Sequence, residues 1–193
     1  MFKQLLCSTV ALMASQAALA DTWQLNSENA ELYFASVKND TVEETHRFTS
    51  ITGTLEDGAL SISIPLSSID TTIPIRNERM LEHLFDASKH PAVTATATLP
   101  EALYDTSNAP STQVATVPLA LTIAGETITV EAAVQVTHLN ETTLLATTRQ
   151  PILVNAKAFD LVAGIDKLRE IAGLNAIDYV VPVTFSVQFE KED

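Results

Sequence analysis

The chain has 193 residues, a formal charge of −13, 46% apolar but only 6% aromatic residues, five glycines and one cysteine. That acidity, with no basic cluster, excludes nucleic acid and electrostatic docking on anionic lipid as partners. Five glycines leave no Gly-rich phosphate cradle, and the lone Cys7 lies in a segment read below as a cleaved leader, so neither disulfides nor thiol chemistry is expected.

Residues 1–20 read as an export signal. Lys3 supplies the positive start, residues 5–14 the apolar stretch, and Ala18-Leu19-Ala20 a small-x-small cleavage site before Asp21. The stretch is too short for a transmembrane helix and is broken by Ser8, Ser15 and Gln16. Leu6-Cys7 lacks the small residues of an acylation site. The sequons at Asn39 and Asn140 are chance matches in a bacterial-looking chain. Residues 21–193 are expected to form one exported domain.

Strands are expected over 23–25, 31–37 and 47–55, the last with Gly53 inside it as a bulge or close approach. Asp57-Gly58 then carries a two-residue hairpin signal. In the returning strand Leu60, Ile62, Ile64 and Leu66 alternate with Ser61, Ser63 and Pro65. Residues 67–91, SSIDTTIPIRNERMLEHLFDASKHP, cannot continue as a strand, because Pro74 has no N–H for a ladder. Met80, Leu81, Leu84 and Phe85 recur at helical spacing there, with Arg76, Arg79, Glu82 and His83 opposite. Asn77 is a fitting N-cap, and Lys89-His90-Pro91 closes the helix.

Beyond it Val93, Ala95, Ala97 and Leu99 alternate with threonines, followed by a polar loop over 100–112. Residues 117–123 and 128–136 form a second hairpin about Ala124-Gly125. Two strand-like runs follow, divided near Gln150-Pro151. A second short helix spans 164–174, with Ile165, Leu168, Ile171 and Ala172 along one stripe and Gly173 at its end. Val181, Val183, Phe185, Val187 and Phe189 alternate in the last strand.

The fold class is therefore all-β, antiparallel, with about eight to ten strands in a sandwich or barrel and two short amphipathic helices. An outer-membrane barrel would need girdles of aromatic residues, and two amphipathic helices need water on one side, so no stable membrane insertion is expected. Small inward residues such as Ala95, Ala97 and Ala132 leave space that neighbours fill, or that forms an apolar tunnel.

No catalytic motif is found. His46, His83, His90 and His138 are scattered over different elements and share no metal-binding spacing, no Gly-x-Ser-x-Gly elbow occurs, and no acidic pair stands out. No catalytic residue, metal or cofactor is assigned.

Phe48 to Gly53 ahead of the Asp57-Gly58 turn begins an ordered set of signals. Ser67-Ser68-Ile69-Asp70-Thr71, Arg76-Asn77-Glu78, Leu81, Leu84-Phe85-Asp86 and His90-Pro91 continue it, then the hairpin with Gly125 and the segment ending at Phe159. In this set the chain resembles the YceI-like family of exported, lipocalin-like barrels over essentially residues 21–190. It departs from the pattern at Ala95, where phenylalanine is usual, at Ala156, where arginine is common, and at Asp160, where glycine is common. The 164–174 helix resembles only part of the family.

The resemblance implies an antiparallel lipocalin-like barrel of about eight strands in the periplasm, with an isoprenoid lipid or the tail of an isoprenoid quinone as ligand. Side-chain alternation adds Leu60, Ile62, Ile64, Ala95, Leu121 and Phe185 as cavity lining, under a lid of Leu81, Leu84 and Phe85. Asp70 and Arg76 are expected to fasten that lid. The leading reading is a non-enzymatic binding protein. One rival is an envelope stress or redox-complex accessory protein with a filled barrel, and another is a hydrolase or isomerase working around His83 or Asp70. A homodimer is left open.

Overall fold

Three tight turns fix the pairing of neighbouring strands. Asn39-Asp40, Asp57-Gly58 and Ala124-Gly125 each place both central residues at positive φ (50° and 63°, 48° and 81°, 49° and 91°). That is the left-handed geometry whose twist matches antiparallel strands. The Asn39-Asp40 turn also anchors the chain after the second helix, since Asn39 Oδ1 accepts from the backbone N–H of Asn175 (2.8 Å).

A computed structural model describes residues 22–192. The export-signal reading of residues 1–20 lies outside the described residues. The strands are β1 (Thr22–Lys38), β2 (Val42–Phe48), β3 (Thr52–Glu56), β4 (Ala59–Pro65), β5 (Ile69–Asp70), β6 (Ala92–Thr98), β7 (Ser111–Ile123), β8 (Glu126–Asn140), β9 (Thr143–Thr148), β10 (Ile152–Asn155) and β11 (Val180–Lys191). Antiparallel pairing runs β1-β3-β4-β6-β7-β8-β9-β11 and returns from β11 to β1. The result is a closed eight-stranded barrel, which removes the exposed edges an open sheet would leave.

Two strands outgrow the ring. β1 pairs with β3 over Thr22–Gln24 and with β2 over Leu32–Lys38. β11 pairs with β9 at its C-terminal end and with β10 at its start. One end of the barrel is thus extended by a wall of β1, β2, β10 and β11, and both helices sit there. Helix α1 (Pro74–Arg79) runs into a π-helical turn, Met80–Leu84, and α2 spans Val162–Ala172. We call this the lid end and the opposite end the base.

Several boundaries differ from expectation for local reasons. The strands expected over 23–25 and 31–37 are one strand, with its pairing to β11 shifted between Asn26 and Glu31. The strand expected over 47–55 breaks, because Thr49 turns to pair its N–H with Ser68 O. Gly53 belongs to β3 at a close approach: a Cβ there would lie 2.5 Å from Ile62 Cδ1. The 100–112 loop yields to β7 at Ser111. Asn77 is not the N-cap. Ile73 holds that position with Pro74 first in the helix, where its missing N–H costs nothing. Asn77 Oδ1 instead accepts from the backbone N–H of Thr71 (3.0 Å) and from its Oγ1 (2.6 Å). α2 starts at Val162 and ends as expected, with Gly173 at φ 64°.

Candidate ligand cavity

The alternation that buries one face of each strand points those faces at a common interior. The interior is not filled: a cavity of about 270 Å³ runs through it, and every lining side chain is aliphatic or phenylalanine. Its size decides what it can take. An apolar cavity of roughly 150 Å³ accepts a guest the size of benzene, so this one holds about ten carbons with no side chain moving.

Leu60, Ile62, Ile64, Ala95, Leu121 and Phe185 all line this space. Phe85 lines it from the lid, whereas Leu81 and Leu84 do not. The cause is the π turn. Phe85 N–H bonds to Met80 O, five residues back, so Met80 and Phe85 share the buried side. An α-helix would have aligned Met80 with Leu84. Leu84 instead meets α2: a Cβ on Gly164 would lie 2.6 Å from His83 O and 2.8 Å from Leu84 Cα. Only glycine lets the two helices approach so closely.

The sequence reading missed half of the roof. Leu161 and Ile165, at the start of α2, also line the cavity, and the stripe containing Ile165 was the available signal.

Asp70 and Arg76 are both engaged, with separate partners on β2. Arg76 Nη1 donates to Glu44 Oε2 (2.7 Å), and its Nη2 donates to Thr71 O. Lys38 Nζ donates to the same Glu44 oxygen. Chiefly through that Lys38 bond, with the Arg76 charge also acting, the Glu44 carboxyl is held below its usual range. Asp70 Oδ2 accepts from Arg47 Nε (3.1 Å), and its Oδ1 accepts from the Thr72 N–H (2.9 Å). Those bonds, the Thr72 N–H foremost, lower its pKa. They also hold Thr72 at φ 64°, a strained position for a β-branched residue. The ionic neighbour of His83 is Glu82, at 3.9 Å.

On β1 and β2 the inward face turns polar toward the lid. Phe34 pairs with His46 and Ser36 with Glu44. His46 is 4% exposed, its Nε2 lies 2.9 Å from Ser36 Oγ, and its Nδ1 has no partner. Burial first, then the Arg76 charge, pushes its pKa down to about 4, so the ring is neutral near pH 7. At the base, His138 is 2% exposed with both nitrogens in use, Nδ1 with Ser111 Oγ (3.0 Å) and Nε2 with Leu103 O (3.1 Å). Among the described residues no group of His, Cys, Asp and Glu is placed to hold a metal, and no helix is long and apolar enough to cross a membrane.

A closed barrel around a wholly apolar cavity, roofed by two helices, defines the class as a β-barrel with an apolar interior cavity. The family model for the YceI-like domain matches residues 23–189, and the chain belongs to that family. A solved polyisoprenoid binding domain from Saccharophagus degradans, implicated in plant cell wall breakdown, is 30% identical with a TM-score of 0.84. The match covers 88% of this chain and 98% of that one. BcnA of Burkholderia cenocepacia, at 17% identity and a TM-score of 0.61 over 85% of this chain and 98% of its own, shares the fold. No curated protein matches the chain.

Proposed function

We propose that this protein is an exported, periplasmic binding protein that holds a polyisoprenyl chain in its barrel without acting on it. The observation that carries this reading is the open, wholly apolar cavity. The polyisoprenoid-binding domain that resembles the chain supports it. Energetics favour a long chain. At about 0.8 kcal/mol per buried CH₂, ten carbons gain about 8 kcal/mol, which association costs of about 4–15 kcal/mol largely cancel. Twenty carbons gain about 16 kcal/mol. Useful affinity therefore needs more chain than the resting cavity admits, and lining side chains must move aside to take it. An accessory protein with a filled barrel would lack that cavity.

Native mass spectrometry of protein purified from its own periplasm, followed by lipid extraction, tests the proposal. The expected result is a bound species whose mass and fragments are those of a polyprenyl chain. Recovery of empty protein that also takes up no isoprenoid in vitro overturns it.

A further inference from the structure

A polyisoprenyl chain dissolves in a bilayer and is nearly absent from water, so a protein that holds one has to meet a bilayer surface. The two ends of the barrel are unequally suited to that encounter. Among the described residues seven large apolar side chains are exposed, and five of them, Val42, Ile73, Ile75, Leu153 and Val180, belong to the lid end. The other two, Val114 and Leu139, lie on the base halves of β7 and β8.

The densest cluster is the entry to α1. Ile73, Pro74 and Ile75 are consecutive and exposed, Ile73 at 43% and Ile75 at 50%. Ile73 is the N-cap, a position where Ser, Thr, Asp or Asn would bond the first turn and isoleucine bonds nothing. An exposed isoleucine there works against the helix, so helix stability does not account for it. Arg76, next in α1, bonds Glu44, and half-exposed Val42 follows Glu44 on the same face of β2. Arg79, one turn beyond Ile75, makes no ion pair among the described residues.

Charge divides the ends in the same sense. Residues 38–48, 66–91 and 149–178, which build the lid end, carry nine of the ten described Lys and Arg against eleven carboxylates, a net −2. The rest of the described chain carries Lys191 against eleven carboxylates, a net −10. Anionic lipid in a surface therefore repels the base far more than the lid end, and the lid end is the one that approaches. Since neither end is positive, apolar contact must do the holding. We propose that Val42, Ile73, Pro74 and Ile75 dip into the interface of a zwitterionic phospholipid bilayer and set the lid against it, so that the isoprenoid passes between bilayer and barrel without crossing water. The inference rests on the isoprenoid reading above.

Transfer of a four-isoprene hydrocarbon from the protein to phosphatidylcholine vesicles tests this. Docking makes the transfer rate rise with vesicle concentration, whereas release into water makes it independent. Ile73→Ser combined with Ile75→Ser should slow transfer about tenfold and leave the affinity for the hydrocarbon in solution unchanged. Val114→Ser combined with Leu139→Ser should change neither. On vesicles with brominated acyl chains the emission added by Ile75→Trp should be quenched, while that of Trp23, the only tryptophan of the wild type and at the base end of β1, should not. A rate independent of vesicle concentration, equal slowing by the two double variants, or quenching of Trp23 alone overturns the docking face while the isoprenoid reading stands. So does an unchanged rate in the lid-end variant, the result expected of a face that serves a protein partner. Failure of the hydrocarbon to bind the wild type in solution overturns both.

Discussion

At the base of the barrel a buried histidine spends both ring nitrogens holding the loop after β6, whereas at the lid end a histidine of similar burial keeps one nitrogen free. The base is closed by satisfied bonds between a strand and a loop. The lid is held by half-exposed ion pairs from β2 and by a π turn, and residues in left-handed conformation, Thr72 and Asp86, bracket it. Paired bonds inside a protein are hard to break, while exposed ion pairs contribute little and strained residues pull against the fold. The same barrel thus has one end closed by buried hydrogen bonds and one held by more exposed contacts, and the second is the end expected to open first to a ligand.

The contrast breaks most sharply at the base. His138→Leu leaves Leu103 O and Ser111 Oγ unpaired and should cost about 3 kcal/mol in urea unfolding, with isoprenoid binding by the folded protein unchanged.

Acid should act at the other end. His46 has its folded pKa lowered to about 4 from an unfolded value near 6.5. Its neutral ring therefore contributes stability that is complete above pH 6.5 and drains away as pH falls toward 4. Arg76 and Lys38 oppose its protonation and Glu44 favours it. The loss should be on the order of 2 kcal/mol, and His46→Phe should flatten the unfolding profile in that window.

A smaller effect is expected where the roof helices meet. Gly164→Ala forces α2 off the His83 carbonyl, at a cost of about 1–2 kcal/mol. Amide exchange over residues 73–85 should quicken in this variant while β7 and β8 stay protected. The smallest change in stability belongs to Ala95→Phe. A packed core would lose about 1–3 kcal/mol, but a ring directed into an open cavity should cost under about 1 kcal/mol, measured by thermal unfolding.

The barrel was legible because its strands alternate so regularly. Leu60 to Leu66 and Val181 to Phe189 declared their inward faces, and Asp57-Gly58 its turn. The Asn39-Asp40 turn has the same left-handed geometry, but in the sequence it shows only as a chance sequon. The lid was legible as a helix but not as a π turn, so the spacing of Leu81 and Leu84 suggested a lining that Phe85 alone provides. No single-sequence pattern marks one wider turn, because it arises where the helix must reach both the barrel and α2. The polar cluster was hidden for another reason. Glu44, His46 and Phe48 do alternate on β2, yet only tertiary pairing reveals that Arg76 meets Glu44 and that one histidine nitrogen is left over.

The central claim is that the interior is open and takes a polyisoprenyl chain. Calorimetric titration of the four-isoprene hydrocarbon into the wild type and into Ala95→Phe, at several temperatures, tests it directly. Saturable binding with a negative heat-capacity change, the mark of apolar burial, weakened at least tenfold by Ala95→Phe, is the predicted result. No binding to the wild type, or equal binding to both proteins, would contradict it.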